Sequence, residues 1–407
     1  MGAQAVVQTG RPAGSPLEVL RIFTRLGLTC FGGPIAHIGY LREEFVVRRR
    51  WLDEEAYVDL VALSQFLSGP ASSKVGFSLG LLRAGYLGGL AAWVGFTTPS
   101  AVALILFAYG ASALEGRAGA GLLHGLKLVA VAIVAQAVWG MARNLCPDRT
   151  RASIAVAATL IVLASASSMA QIAAIALGGV AGLLLCRAAP LASAQHLAMP
   201  VSPRVGACCL VAFFALLGGL PLARGLAHSQ ALAVFDAFYR SGALVFGGGH
   251  VVLPLLREAV VTPGWVSDDA FLAGYGAAQA VPGPLFTFSA YLGAVLAKPP
   301  NGLAGALLAL VAIFLPGLLL QMGVLPFWES FRRRAGAQAV MRGVNAAVVG
   351  LLGAALYRPI WTSAVQTPGD FAIALVGFVL LMAWRAPPLV VVAVSALGGI
   401  GLALLAP

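Results

Sequence analysis

The sequence predicts an all-α polytopic membrane protein: two repeats of inverted topology, each with broken or re-entrant helices, joined by one connecting transmembrane helix. Three observations carry the prediction. The 407-residue chain is 60% apolar and only 10% charged, with a mean hydropathy of +0.91, where a soluble domain carries roughly 25% charged residues. Several apolar runs reach the roughly 20 residues that cross a hydrocarbon core, and they are too continuous for barrel strands. Finally, the chain repeats itself. Phe31-Gly32-Gly33 and Leu41-Arg42-Glu43 return as Phe246-Gly247-Gly248 and Leu256-Arg257-Glu258 at a shift of 215, and Trp51, Gln65, Gly69 and Pro70 return as Trp265, Gln279, Gly283 and Pro284 at a shift of 214. Pro99 pairs with Pro316 and Gly125 with Gly343, at shifts of 217 and 218.

In order along the chain, a polar tail (1–16) lacks the apolar core of a cleaved signal peptide. The first repeat (17–187) opens with an interrupted segment, 17–45, then a loop ending at Trp51 and a second broken segment, 57–82. Four helices are expected at 86–113, 122–142, 152–163 and 172–185. A connector (188–230) holds one apolar run, 205–227. The second repeat (231–407) follows the same order: broken segments at 235–260 and 271–296, then helices at 304–324, 340–356, 371–384 and 389–405. Gly and Pro interruptions at matched places in both halves point to a secondary transporter and to its binding site.

Loop charge sets the orientation. With an even number of crossings per repeat, the lone connector makes the second copy enter from the opposite face. The loop before Trp51 is basic (Arg42, Arg48, Arg49, Arg50), as is the one with Arg143, Arg149 and Arg151, whereas the loop before Trp265 holds only Arg257 and the next holds Arg332, Arg333 and Arg334. Basic loops belong inside. That places the N-terminus in the cytoplasm, the chain in the cytoplasmic (inner) membrane, and corresponding loops on opposite sides. Arg83, Arg187, Arg204 and Arg385 also fall inside; Arg117, Arg224, Arg257, Lys298 and Arg358 are exceptions outside. The net charge of +11 is read as this bias rather than as a nucleic-acid surface. The five cysteines, Cys30, Cys146, Cys186, Cys208 and Cys209, have neither metal-ligand nor disulfide-framework spacing, so no metal or other cofactor is expected.

The breaks carry the chemistry. Proline removes a donor and clashes with the preceding turn, while glycine admits otherwise forbidden angles. Irregular backbone at membrane depth survives only where it is buried in protein or lines a wet cavity. Half-helix N-termini then offer free N–H groups and a positive dipole end to an anion. The candidate substrate-binding residues are Gly32, Gly33, Pro34, Gly69, Pro70, Ser72, Ser73 and Lys74 in the first half, and Gly247, Gly248, Gly249, Gly283, Pro284, Thr287 and Ser289 in the second. Lys74 either serves this site or snorkels to the interface. Gating or proton-coupling candidates are His37, Gln65, His250 and Gln279, for which capping, packing or tying the unwound backbone is the alternative. Arg42-Glu43 and Arg257-Glu258 read as interfacial ion pairs or gates, or as ordinary solvated pairs. A cation site would want carboxylates at depth, and the apolar runs hold almost none.

With these residues assembled, the chain resembles the chromate ion transporter family in its long, two-domain form. The resemblance rests on Phe31-Gly32-Gly33-Pro34 with His37, on Trp51-Leu52 followed by Asp53-Glu54-Glu55, and on the stretch from Gln65 through Gly80. In the second half it rests on Phe246-Gly247-Gly248-Gly249-His250 and Gln279-Ala280-Val281-Pro282-Gly283-Pro284. It covers nearly the whole chain from about Leu17. Where the family pattern leads one to expect Pro-Gly-Pro, the first half reads Ser68-Gly69-Pro70, which keeps the break but loosens the substrate assignment. The resemblance implies export of chromate across the cytoplasmic membrane, giving chromate resistance; the expected cycle is alternating access driven by the membrane potential, to which proton antiport would add, and no enzyme activity is expected. A permease for sulfate or another tetrahedral oxyanion is the alternative. A membrane-embedded enzyme lacks support, since no nucleophile–base pair, His-Glu-x-x-His or carboxylate cluster appears. The expected partners are the oxyanion and the lipid bilayer, with no nucleic acid; monomer and homodimer both stay open.

Overall fold

Helix after helix forms where apolar stripes meet caps. The structure, a computed structural model, describes residues 14–30, 33–111, 116–164, 168–186, 200–227, 229–245, 251–328 and 334–405. The predicted site residues Gly32, Gly247, Gly248, Gly249 and His250, with Phe31, Phe246, Arg187, Arg332 and Arg333, lie outside the described residues. Among the described residues there is no strand, and six helices are long and apolar enough to cross a membrane. The protein is an all-α, multi-pass membrane protein.

Helix α1 (Pro16–Thr29) starts on Ser15, whose hydroxyl accepts the Glu18 N–H at 3.1 Å, and buries the stripe Val19, Ile22, Phe23 and Leu26. Such a cap satisfies one of the four orphan N–H groups at a helix start. The chain breaks after Cys30 and resumes as α2 (Gly33–Arg42), which widens into a π-helical turn at Glu43–Arg48. Helix α3 (Glu54–Phe66) is capped by Asp53, which accepts the Ala56 N–H at 2.7 Å. After the break at 67–70, α4 (Ala71–Ala111) runs as two arms, because Ala84 and Gly85 leave helical geometry, Gly85 at φ +65°. The arms fold back so tightly that Gly80 and Gly88 abut through their backbones. The expected loop near Arg83 is therefore a one-glycine fold within what was read as two separate segments.

Next come α5 (Gly116–Leu145), α6 (Arg149–Ala164), α7 (Ser168–Leu185) and the connector α8 (Pro203–Ala227). The second half follows the same order: α9 (Gln230–Ala243), α10 (Val252–Val260), and α11 (Asp268–Ala280), capped by Ser267 onto Ala270 N–H at 3.2 Å. After a second break at 281–284, a 3₁₀ turn (Leu285–Thr287) leads into α12 (Phe288–Ala294). The chain ends with α13 (Gly302–Val324), α14 (Ala335–Ala355), α15 (Pro368–Met382) and α16 (Pro388–Leu405). Helix α9 begins five residues earlier than the apolar pattern suggests. Asp236 lies inside it fully buried, held by Arg240 at 2.7 Å.

Equivalent contacts recur within each half. Gly27 rests on Phe96 O, and its equivalent Gly242 on Ile313 O. Others are exchanged between halves. Gly125 abuts Ser395 on α16, and its equivalent Gly343 abuts Gly178 on α7. Gly350 packs on Ala155 and Thr159, and Gly377 on Ala132. These glycine crossings bring backbones together, as in membrane helix pairs generally. In both exchanged crossings the helices run antiparallel: Gly121 meets Ala403 while Gly125 meets Ser395, and Gly178 meets Ala347 while Gly182 meets Ala339.

The halves are not equally enclosed. Residues 271–278 of α11 are all buried, with Gly276 pressed on Leu126 of α5 and Lys127 Nζ bonded to Asp269 at 2.5 Å. The matching face of α3, formed by Glu55, Val58, Ala62 and Gln65, is exposed.

Candidate functional site at the helix breaks

Four chain breaks meet in two reciprocal hydrogen bonds. The N–H of Gly69, in the break between α3 and α4, donates to Val245 O at the end of α9, 2.7 Å away; the N–H of Gly283, between α11 and α12, donates to Cys30 O at the end of α1, 2.9 Å away. Each Gly-Pro break of one half is thus stitched to the first break of the other. Both glycines adopt φ near +100° (+96° and +100°), a region that costs other residues steric strain. They also sit where a Cβ would crowd the opposite half, 2.8 Å from Gly317 Cα for Gly69 and 2.8 Å from Ser100 Oγ for Gly283. Gly317 and Ser100 are themselves equivalent positions. Of the expected first-half triplet, Gly33 begins α2 and Pro34 follows it in the first turn.

Around this crossing the polar side chains are buried: Ser72, Ser73 and Lys74 at the start of α4, and Thr287 and Ser289 at the start of α12, are all at most 3% exposed. The Oγ atoms of Ser73, Ser289 and Ser68 have no hydrogen-bond partner among the described residues. Thr287 Oγ1 instead donates to Pro284 O at 2.7 Å. Lys74 neither snorkels nor points at a helix N-terminus. Its Nζ donates to Leu67 O and Ser68 O, both at 2.8 Å, tying down the carbonyls of its own break.

Among the gating candidates, His37 is buried against Phe96, and its Nε2 donates to Cys30 O at 3.2 Å, the same oxygen that receives Gly283. Gln279 is half-buried with its Nε2 unpartnered among the described residues, while Gln65 is exposed. The pairings Arg42–Glu43 and Arg257–Glu258 are not formed. Arg42 Nε donates to Glu54 at 2.7 Å, and Arg257 grips Asp268 with two bonds of 2.8 Å. Sequence neighbours on a helix point about 100° apart and do not face each other. Glu43 goes to Arg48 at 3.3 Å, and Glu258 accepts from Thr262 at 3.0 Å. The two arginine pairs occupy equivalent positions and clamp the end of the second half-helix to the start of the third. The bond to Glu54 and its negative charge hold the Arg42 guanidinium above its usual range.

A polar seam went unread in the sequence. One face of α13 and its extension, Gly317, Gln321, Leu325 and Trp328, runs down the pair formed by α3 and the first arm of α4. Gln321, fully buried, donates to Ser64 Oγ at 3.1 Å and to Ser78 Oγ at 3.0 Å, while Trp328 Nε1 donates to buried Asp59 at 3.2 Å. A lone glutamine in an apolar 23-residue helix, like an acid at Asp59, is the signal that could have revealed it. The equivalent positions in the other half are apolar: Leu104 for Gln321, Ala278 for Ser64, Leu292 for Ser78 and Ala273 for Asp59.

A bundle of lipid-length helices, broken at matched places in the two halves of the chain and cross-stitched there, defines a polytopic membrane protein of transporter type. The chain belongs to the chromate transporter family, whose sequence model matches residues 17–183 and 232–400, once in each half. Relatives of similar length include the chromate transport protein of Pseudomonas aeruginosa, 28% identical over 97% of this chain and 94% of that protein. The probable chromate transport protein of Synechococcus elongatus is 26% identical over 96% of both chains. The chromate transport protein of Cupriavidus metallidurans is 25% identical over 94% of this chain and 92% of its own length. No solved structure matches the chain.

Proposed function

We propose that the protein exports chromate across the cytoplasmic membrane by alternating access and so confers chromate resistance. One observation carries the reading: the exchange of hydrogen bonds between Gly69 and Val245 and between Gly283 and Cys30. It joins the breaks from which α4 and α12 start, and the unpartnered, buried hydroxyls of Ser73 and Ser289 in those first turns support a site where a tetrahedral dianion would find donors. The relatives' names point to chromate as that dianion. Inside a negative-inside cell each charge is pushed outward by about 2.3 kcal/mol per 100 mV, so a dianion gains about 4.6 kcal/mol, roughly a thousandfold gradient. Voltage alone therefore suffices for export, and proton antiport would add to it.

The repeats, 17–187 and 231–407 about a connector at 188–230, are read as inverted. If the short links α5–α6 and α6–α7 each turn the chain back, α5 and α7 run parallel. Helix α16 runs against α5 and, on that reading, against α7, its own counterpart. The loop charges place the N-terminus and Arg48–Arg50 in the cytoplasm. Helix α3 enters from that side with an exposed face, while α11 is enclosed, as expected of one end state of a two-state cycle.

The test is flux of labelled chromate and sulfate into inverted proteoliposomes under an imposed voltage. Chromate uptake should follow an inside-positive potential in these vesicles. Ser73→Ala with Ser289→Ala should cut uptake about tenfold or more while the protein still inserts and melts normally. Sulfate uptake that requires proton symport, with chromate unmoved by voltage, would point to an inward oxyanion permease instead.

A further inference from the structure

We propose that the head group of Lys74 is the built-in occupant of a monovalent-cation site at the first Gly-Pro break, standing where a soluble coupling ion would otherwise bind. The residues after α3 are unwound, Leu67 lying extended at φ −81° and ψ 153°. Pro70, which has no N–H, follows within the same break. The carbonyls of Leu67 and Ser68 project from the negative end of a half-helix dipole, and unwound carbonyls at half-helix C-termini are what transporters offer to a coupling cation. Here both carbonyls receive Lys74 Nζ at 2.8 Å, on a side chain with no exposure at all. Those partners are main-chain oxygens rather than a carboxylate, so Lys74 meets the break as a cation meets a carbonyl cage rather than as half of an ion pair.

The second break shows that the backbone geometry does not itself demand a lysine. Gly283 repeats the φ of Gly69, +100° against +96°, yet the residue in the lysine's place is Phe288. Its ring is fully buried and packs edge-on against Phe271 and Tyr275. The two breaks therefore share the conformation of their glycine, and only the first carries a tethered head group. The head group is a feature added to one half, and the consequence is a transporter that does not depend on sodium at this site.

This consequence rests on the transport reading, whereas the site is read out by melting, so the two can fail separately. The full chain, purified in detergent, is melted in sodium, potassium, methylammonium and choline chloride at equal ionic strength. The wild type should melt at one temperature in all four salts. Lys74→Ala and Lys74→Met should melt lower in choline and recover several degrees in sodium or methylammonium, since a ligand that binds only the folded state raises its stability. Variants indifferent to the salt, or a wild type that sodium stabilises over choline, would overturn the proposal. Should neither variant fold, wild-type melting in the four salts, with wild-type chromate flux in sodium against choline, decides it. Equality supports the tethered cation, and sodium dependence rejects it.

Discussion

Gln321, with Leu104 at the equivalent position, marks a difference between the two halves of the bundle. Its amide satisfies the hydroxyls of Ser64 and Ser78, and none of the three lies on the surface. A buried hydroxyl left without its partner costs about 1–3 kcal/mol, whereas removing both partners together is close to neutral. Gln321→Leu, which copies Leu104, is therefore expected to destabilise by about that amount. Adding Ser64→Ala and Ser78→Leu, after Ala278 and Leu292, should return stability to within about 1 kcal/mol. Thermal unfolding of the single and triple variants checks this. A triple variant as unstable as the single would mean that the seam is held by something other than these bonds. The seam escaped the sequence reading because Gln321 lies 257 and 243 residues from Ser64 and Ser78, and each looks ordinary alone.

At the scale of elements, the breaks were legible and their partners were not. Gly69-Pro70 and Gly283-Pro284 interrupt helices through chemistry local to two residues. The acceptor of each glycine's N–H lies in the other half. The glycine crossings follow the same division. Gly343 abuts Gly178 and Gly182 of α7, and Gly125 abuts Ser395 of α16, whereas a Cβ on Gly140 or Gly218 would meet nothing within 4 Å. Gly343→Val and Gly125→Val are accordingly expected to lower the melting temperature markedly, by forcing backbones apart. Gly140→Val and Gly218→Val should leave it almost unchanged. A melting series over these four variants distinguishes packing glycines from idle ones, which composition alone cannot do. The arginine clamps teach the same lesson: Arg42 and Arg257 were recognised as equivalent, but their partners Glu54 and Asp268 depend on where the next helix begins.

For the whole molecule, the proposed cycle exchanges the environments of α3 and α11. Gly276 now presses on Leu126 of α5, with no room for a Cβ. By the repeat, Ala62 should come to rest on Val344 of α14 in the alternate state. Today Ala62 is exposed, while Val344 is buried beside Gly179 of α7. A cysteine pair, Ala62→Cys with Val344→Cys, is expected to form a disulfide only when the alternate state is populated, because the bond needs Cβ atoms about 3.5–4.5 Å apart. Oxidation should then arrest transport, and reduction restore it. A pair that never closes under any imposed gradient would speak against the exchange of environments.

Hydropathy, repeat and break positions were determined by the sequence alone. Membrane crossing depends on the apolar content of one continuous stretch, and a helix break depends on one or two residues whose backbone preferences travel with them. Only the tertiary structure decided where Lys74 sends its head group, which carbonyl receives each broken end, and that α11 is enclosed while α3 is not. The head group of Lys74 turns back on carbonyls of its own break, one of several local choices open to a long side chain, whereas the other outcomes are contacts between segments far apart in the chain. Equivalent residues in the two halves obey the same local rules yet meet different neighbours, so no periodicity in the chain could have told one half from the other.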